Sequence, residues 1–269
     1  MRTATLVWIG LGVLSLAALP AGADERKFTY SYEAKTLPKG SLEFEHWATL
    51  RTGKEDGDFL RIDFREELEY GLTDRLTTAL YLNFEVLRAD GVPGLDDERE
   101  FKLEGVSSEW KYRLTDAGIF PVGLLAYAEV GIGEDEVELE TKFVVSRELG
   151  PWSFAYNLVL ELAWEQETEA SGEKEWEKES QIAHTAGISY HAGSGVNVGL
   201  EAVARQSLEG SFSDTESHSY FVGPNVHVAT RGWWATLTLL KQVDIKENSG
   251  LVLDGQERYE IRLIFGIHF

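Results

Sequence analysis

From residue 41 to the C-terminus the chain alternates between apolar and polar positions. In 76–86, Leu76, Thr78, Leu80, Leu82, Phe84 and Val86 share one parity, while Thr77, Ala79, Tyr81, Asn83 and Glu85 share the other. Segment 259–269 repeats the pattern, with Tyr259, Ile261, Leu263, Phe265, Ile267 and Phe269 set against Glu260, Arg262, Ile264, Gly266 and His268. So does 196–205, with Val196, Val198, Leu200, Ala202 and Ala204 set against Asn197, Gly199, Glu201, Val203 and Arg205. A period of two sends successive side chains to opposite faces of a sheet. Twelve such segments are predicted, at about 41–52, 59–71, 75–89, 98–113, 120–133, 135–148, 151–167, 175–190, 195–208, 216–229, 232–246 and 256–269. Most reach the roughly 9–11 residues that a tilted strand needs to cross a bilayer, and exceed the roughly 5–6 of an ordinary soluble strand.

The connections alternate too. Short ones fall at 72–74, 115–118, 150, 192–194 and 230–231. Longer, charged ones fall at 53–58, 90–97, 168–174, 209–215 and 247–255, with the tight turn at Gly133 and Glu134 as the exception. Short turns at one end and long loops at the other are the pattern of a membrane barrel, and an even strand number leaves both termini at the short-turn, periplasmic end. Tyr70, Tyr112, Phe120, Trp152, Tyr190, Trp233 and Phe269 lie beside the short turns, while Trp47, Trp164 and Tyr259 lie mid-strand or toward the other end. Amphipathic rings favour the headgroup level, so a girdle is expected.

The second face of the strands is charged. The residues expected to line the lumen are Arg61, Arg65, Glu67, Glu85, Glu129, Glu201, Arg205, Glu260 and Arg262, joined in the same register by Glu43, Glu45, Lys102, Glu104, Lys111, Glu138, Glu140, Lys142 and Glu161 among others. Parity alone does not choose between a soluble barrel with these residues outside and an inverted one with them inside. Strand length, aromatic placement and the N-terminal segment favour inversion. Arg2, an apolar run from Leu6 to Leu19 and the small residues Ala21, Gly22 and Ala23 have the order of a cleaved secretory signal over 1–23, and the run is too short to span a membrane. Residues 24–40, with Phe28, Tyr30 and Tyr32, are assigned to a periplasmic N-terminal segment ahead of a barrel over 41–269. As a periplasmic tail, an extra strand or a plug in the lumen, that segment remains open to all three readings. No other stretch is apolar enough for a membrane helix, and a closed barrel is the other structure that satisfies every backbone polar group in lipid.

Composition narrows the functional classes. A formal net charge of −21 argues against nucleic acid, whose phosphates need clustered Lys and Arg. The 12% aromatic content argues against disorder. Cysteine is absent, which removes thiolate chemistry and disulfides.

The closing segment 259–269, ending in Phe269, resembles the C-terminal signature of Gram-negative outer-membrane barrels, in which a terminal aromatic is read by the barrel assembly machinery. The turn 71–75, Gly-Leu-Thr-Asp-Arg, is similar to their periplasmic turns, and 37–47 resembles the barrel start in a poorly characterised family of proteobacterial outer-membrane proteins. The resemblance implies an all-β, up-and-down antiparallel transmembrane barrel of about twelve strands in the cell outer membrane. Lipid, lipopolysaccharide and the assembly machinery are the implied partners, and Phe269 is the implied assembly signal.

Barrel lipases and deacylases resemble one another in a His-x-Ser pair on one strand face. None of the six histidines has Ser two residues on, so no catalytic residue and no enzymatic role are expected. The acidic run at Asp96, Asp97 and Glu98 lacks EF-hand spacing, and no metal or cofactor is expected. Eight strands leave an interior that side chains fill, and 16–18 leave an aqueous channel. Twelve strands lined by long Glu, Arg and Lys predict a narrow, cation-preferring channel for small polar or cationic solutes. The alternatives are a sealed structural or surface-interaction barrel and, behind it, a lipid-active enzyme.

Overall fold

In the computed structural model, twelve strands close edge to edge into one antiparallel barrel, each paired with its sequence neighbours and β1 with β12. The structure describes residues 25–115, 119–168, 174–245, 250–253 and 256–269; the signal assigned to 1–23 lies outside the described residues. The strands are β1 (Leu42–Thr52), β2 (Asp58–Thr73), β3 (Leu76–Asp90), β4 (Glu98–Arg113), β5 (Gly123–Ile132), β6 (Glu136–Leu149), β7 (Trp152–Thr168), β8 (Lys174–Gly193), β9 (Val196–Glu209), β10 (Thr215–Ala229), β11 (Trp233–Gln242) and β12 (Tyr259–His268). No helix is long and apolar enough to cross a membrane.

Four boundaries depart from the alternation by three or four residues, the start of β5, the end of β8, the end of β11 and the start of β12, and two of them have a clear local reason. β5 starts at Gly123 rather than 120, because Pro121 has no N–H to give to a ladder. The Thr115 hydroxyl closes that end by donating to the Val122 carbonyl and accepting from the Leu124 N–H. β11 ends at Gln242 rather than 246. There the Gln242 amide exchanges two hydrogen bonds with the Val252 backbone, 2.9 and 2.7 Å, and so holds the following loop against the barrel.

The faces are inverted relative to a soluble barrel. Leu80, Leu103, Val106 and Leu200 are more than half exposed on the outside, while Glu43, Glu69, Glu109 and Glu260 on the other parity are fully buried. An exposed aliphatic belt around a charged interior is stable only against lipid. The rings beside the short turns, Tyr70, Tyr112, Phe120, Trp152, Tyr190, Trp233 and Phe269, are all exposed on the outer surface. Trp47 departs from the girdle: it is 3% exposed and faces inward, on the parity of Glu43 and Glu45. The outer face also carries two polar pairs that satisfy each other: His46 Nδ1 with Glu66 at 2.7 Å, directly opposite in register, and His184 Nδ1 with the Tyr156 hydroxyl at 2.7 Å.

Strict alternation cannot place Lys102 and Lys111 on one face. A bulge resolves this. The β3–β4 register slips between Asn83 and Phe84, at Gly105, whose φ of +149° suits glycine and whose absent Cβ would meet the Ile132 carbonyl at 2.2 Å. Above the bulge Phe101 and Leu103 point out; below it Val106, Trp110 and Tyr112 do, and Ser107, Glu109 and Lys111 are buried inside.

Candidate functional site

Residues 25–38, placed ahead of the barrel from sequence, are folded into its interior at the short-turn end. Phe28, Thr29, Tyr30, Ser31, Tyr32 and Leu37 are each at most 6% exposed. Of the three readings the sequence leaves open, this is the plug. The segment joins no strand, so its buried backbone groups must find partners elsewhere. Inward-facing side chains supply them. The Glu201 carboxylate accepts the N–H groups of Thr29, Tyr30 and Ser31, each at 2.9 Å, and the hydroxyls of Thr29 and Thr238 at 3.2 and 2.6 Å. Asn157 imitates a strand, accepting from the Tyr32 N–H at 2.6 Å and donating to its carbonyl at 3.0 Å. Ser146 accepts from the Ala34 N–H and Thr77 from the Leu37 N–H, both at 2.9 Å, and Asn225 donates to the Lys27 carbonyl at 2.5 Å.

The wall is shaped to receive this segment. A Cβ on Gly187 would lie 2.6 Å from the Phe28 ring, so only glycine leaves that ring its place. The Arg26 guanidinium stacks over Tyr32 and Trp47, at 3.8 and 4.4 Å from the ring centroids. At the short-turn mouth Glu33 pairs with Lys35 at 3.0 Å and Lys27 at 3.5 Å. Burial pushes the Glu33 carboxyl up, but Lys35 and Lys27 outweigh it and hold it below the usual carboxylate range.

Beneath and around the plug lies a layer of buried charge. The Trp47 indole donates to Glu45 at 2.9 Å and Glu67 at 3.1 Å, Trp234 donates to Glu43 at 2.5 Å, and Lys111 pairs with Glu69 at 2.5 Å. Oxygens of Glu43, Glu45 and Glu69 lie within 4.8 Å of one another, close enough to hold a cation. Trp234, Trp47, Lys111 and His268, all on barrel strands, already engage these carboxylates.

Above the plug, toward the long loops, the lumen opens into a cavity of about 490 Å³ floored by Tyr30, Tyr32 and Trp47. Among the described residues its walls carry nine carboxylates and six cationic side chains. Six of the nine predicted lumen residues line it: Arg61, Arg65, Glu129, Arg205, Glu260 and Arg262. Glu85 stands beside it, bonded to Arg61 at 2.7 Å. Glu67 and Glu201 also face inward but are 1% exposed and engaged below, Glu201 by the plug. Arg205 forks onto Glu260 at 2.5 and 2.9 Å, Arg65 pairs with Glu129, Arg51 pairs with Asp63, and Lys142 pairs with Glu140 at 2.6 Å. The sequence contained these residues but not their pairing: Arg65–Glu129 and Arg205–Glu260 join strands that are not neighbours, β2 with β5 and β9 with β12. Phe269, at the short-turn rim, is 60% exposed and donates its N–H to the Leu42 carbonyl at 2.9 Å.

The architecture is shared with solved bacterial outer-membrane barrels. The chain is similar to the COG4313 outer membrane channel from Pseudomonas putida F1, with a TM-score of 0.62 and 16% identity over 88% of this chain and 98% of that one. It is also similar to the translocator domain of the autotransporter NalP from Neisseria meningitidis (TM-score 0.52, 11% identity, 86% and 89% covered) and to the NanC porin (0.51, 9%, 84% and 98%). At these identities the likeness is one of fold, and with the apolar belt it puts this chain among the barrels of the bacterial outer membrane. No curated protein matches the chain in sequence. Over residues 20–269 the chain matches the model of DUF6662, and it belongs to that family of unknown function.

Proposed function

We propose that this protein is a narrow outer-membrane pore for small polar solutes, entered from the long-loop end and closed at the periplasmic end by its own N-terminal segment. One observation carries the reading. A charge-lined cavity of about 490 Å³ stands in series with a segment that is held by side chains alone and belongs to no strand. Such a segment can leave without breaking the barrel's ladder. A charge-lined cavity built only to be sealed would hold these groups away from bulk water for no return. That the Pseudomonas putida barrel of similar fold is a channel accords with this reading.

The excess of carboxylates over cations in the cavity favours cations over anions at its entrance. No catalytic role is proposed; His46 and His184 are engaged by Glu66 and Tyr156 on the lipid face.

Reversal potentials of the refolded protein in a planar bilayer under a salt gradient test the reading. Small, cation-selective conductance is expected, with selectivity weakening as ionic strength rises. Anion selectivity would refute the preference. A folded barrel that passes no current under any applied voltage would favour the sealed structural alternative.

A further inference from the structure

Once the ion pairs are drawn, the charges left over in the cavity stand on opposite walls. In the closed sheet β12 and β1 lie across from β6 and β7. On β12, Arg262 donates from Nε to Thr49 at 2.8 Å and from one terminal nitrogen to the Thr29 carbonyl at 3.3 Å, and has no carboxylate within ion-pair distance among the described residues. Its guanidinium lies 4.1 Å from the centroid of the Tyr30 ring. Tyr30 lines the same cavity and is only 6% exposed, yet its hydroxyl has no hydrogen-bond partner. A buried hydroxyl without a partner is uncommon and asks for an explanation.

The opposite wall carries the complementary surplus. Glu136, Glu138 and Glu161 line the cavity with no basic partner among the described residues. Glu161 stands directly across the strand pair from Glu140, whose charge Lys142 already takes. Like charges set opposite each other on neighbouring strands repel unless a cation intervenes.

One wall therefore offers two donors, the free edge of a guanidinium and a phenol, and the other offers carboxylates, Glu138 and Glu161 with Glu136 beside them. We propose that the cavity binds a small zwitterion, an amino-acid-like molecule. Its carboxylate accepts from Arg262 and the Tyr30 hydroxyl, and its ammonium faces Glu138 and Glu161. A ligand of one sign would satisfy one wall and leave the other desolvated. The volume suits such a solute with accompanying water. The inference deepens the pore reading by naming the class of solute, and rests on that reading only for the route of entry.

Titration calorimetry on the refolded full-length barrel in detergent tests it with three probes of four carbons each: γ-aminobutyrate, butyrate and butylammonium. γ-Aminobutyrate should bind at least about tenfold tighter than either partner, equivalent to about 1.4 kcal/mol. Arg262→Gln or Tyr30→Phe should bring it down to the level of butylammonium. The pair Glu138→Gln with Glu161→Gln should bring it down to the level of butyrate. Heat-modifiable gel mobility establishes that each variant is folded. Butylammonium binding as tightly as the zwitterion would overturn the proposal, since the acidic wall would then act alone. So would a folded barrel that binds none of the three. Binding without conductance would overturn the pore reading and leave the zwitterion site standing. Conductance with no preference for the zwitterion would do the reverse.

Discussion

Replacing Glu201 with Ala removes the main anchor of the plug. The three backbone N–H groups at 2.9 Å are left facing an apolar methyl, in a place where Glu201 itself is 1% exposed. A hydrogen bond to a charged acceptor contributes about 1.5–3 kcal/mol net, so three would sum to roughly 4–9 kcal/mol if independent. They are not independent, because they share one carboxylate and one short stretch of chain. Water entering the vacated space recovers a further part. A loss of about 3 kcal/mol in plug docking is expected, which multiplies the undocked population by about two orders of magnitude. The chain has no cysteine, so Ser31→Cys introduces a single reporter at a position 1% exposed. Its reaction with a membrane-impermeant maleimide should be slow in the parent barrel and faster by about a hundredfold with Glu201→Ala, with a parallel rise in conductance. Gly187→Leu should act alike by sterics alone, since its side chain would occupy the space of the Phe28 ring. Equal labelling rates in parent and Glu201→Ala, with both barrels folded, would refute the anchoring argument. So would fast labelling in the parent.

Three further outcomes are expected. Leu263, exposed on the outer face and registered between Ala48 and Leu237, should lose about 2–4 kcal/mol of barrel stability on change to Arg, read from urea unfolding in lipid vesicles. Deleting Phe269 removes one hydrogen bond to Leu42 and an exposed ring, so it should slow insertion by the assembly machinery far more than it lowers the urea midpoint. Because the Glu33 carboxyl is held below its ordinary range in the folded protein, its contribution to docking is complete above the unfolded value and lost as pH falls through the folded one. Conductance should therefore rise on acidification below the usual carboxylate range, and Glu33→Gln should remove that pH dependence.

The barrel was legible because period-two alternation over long segments has few other physical causes. All strand ends fall within four residues of the alternating segments, and the differences at the start of β5 and the end of β11 trace to Pro121 and to Gln242. The inward turn of Trp47 was present as parity, since it shares a face with Glu43 and Glu45, but the affinity of indoles for interfaces pointed the other way. The bulge left a trace in the opposite parities of Lys102 and Lys111, with Gly105 between them. The plug left only an ambiguous trace. Phe28, Tyr30 and Tyr32 alternate like a strand, and the segment is bound chiefly through backbone N–H groups, which every residue but proline possesses, so nothing in it told plug from tail or extra strand. Glu201 on its strand looks like any lumen carboxylate, and only the fold brings Thr29, Tyr30 and Ser31 to it.

The plug's partners have a consequence for the order in which the molecule is made. Thr29, Tyr30 and Ser31 meet Glu201 across 170–172 residues of sequence, and Tyr32 meets Asn157 across 125. Loop-closure entropy sets itself against such contacts until the intervening chain is ordered. The receiving surface draws on β3, β6, β7, β9 and β10 at once, and so exists only when the sheet has curled round. Residues 25–38, which precede the barrel in sequence, are thereby the stretch that settles last. Until then Glu201 faces a lumen without its plug, so on the proposed pore reading each newly inserted molecule would pass through an open form before it shuts its own door.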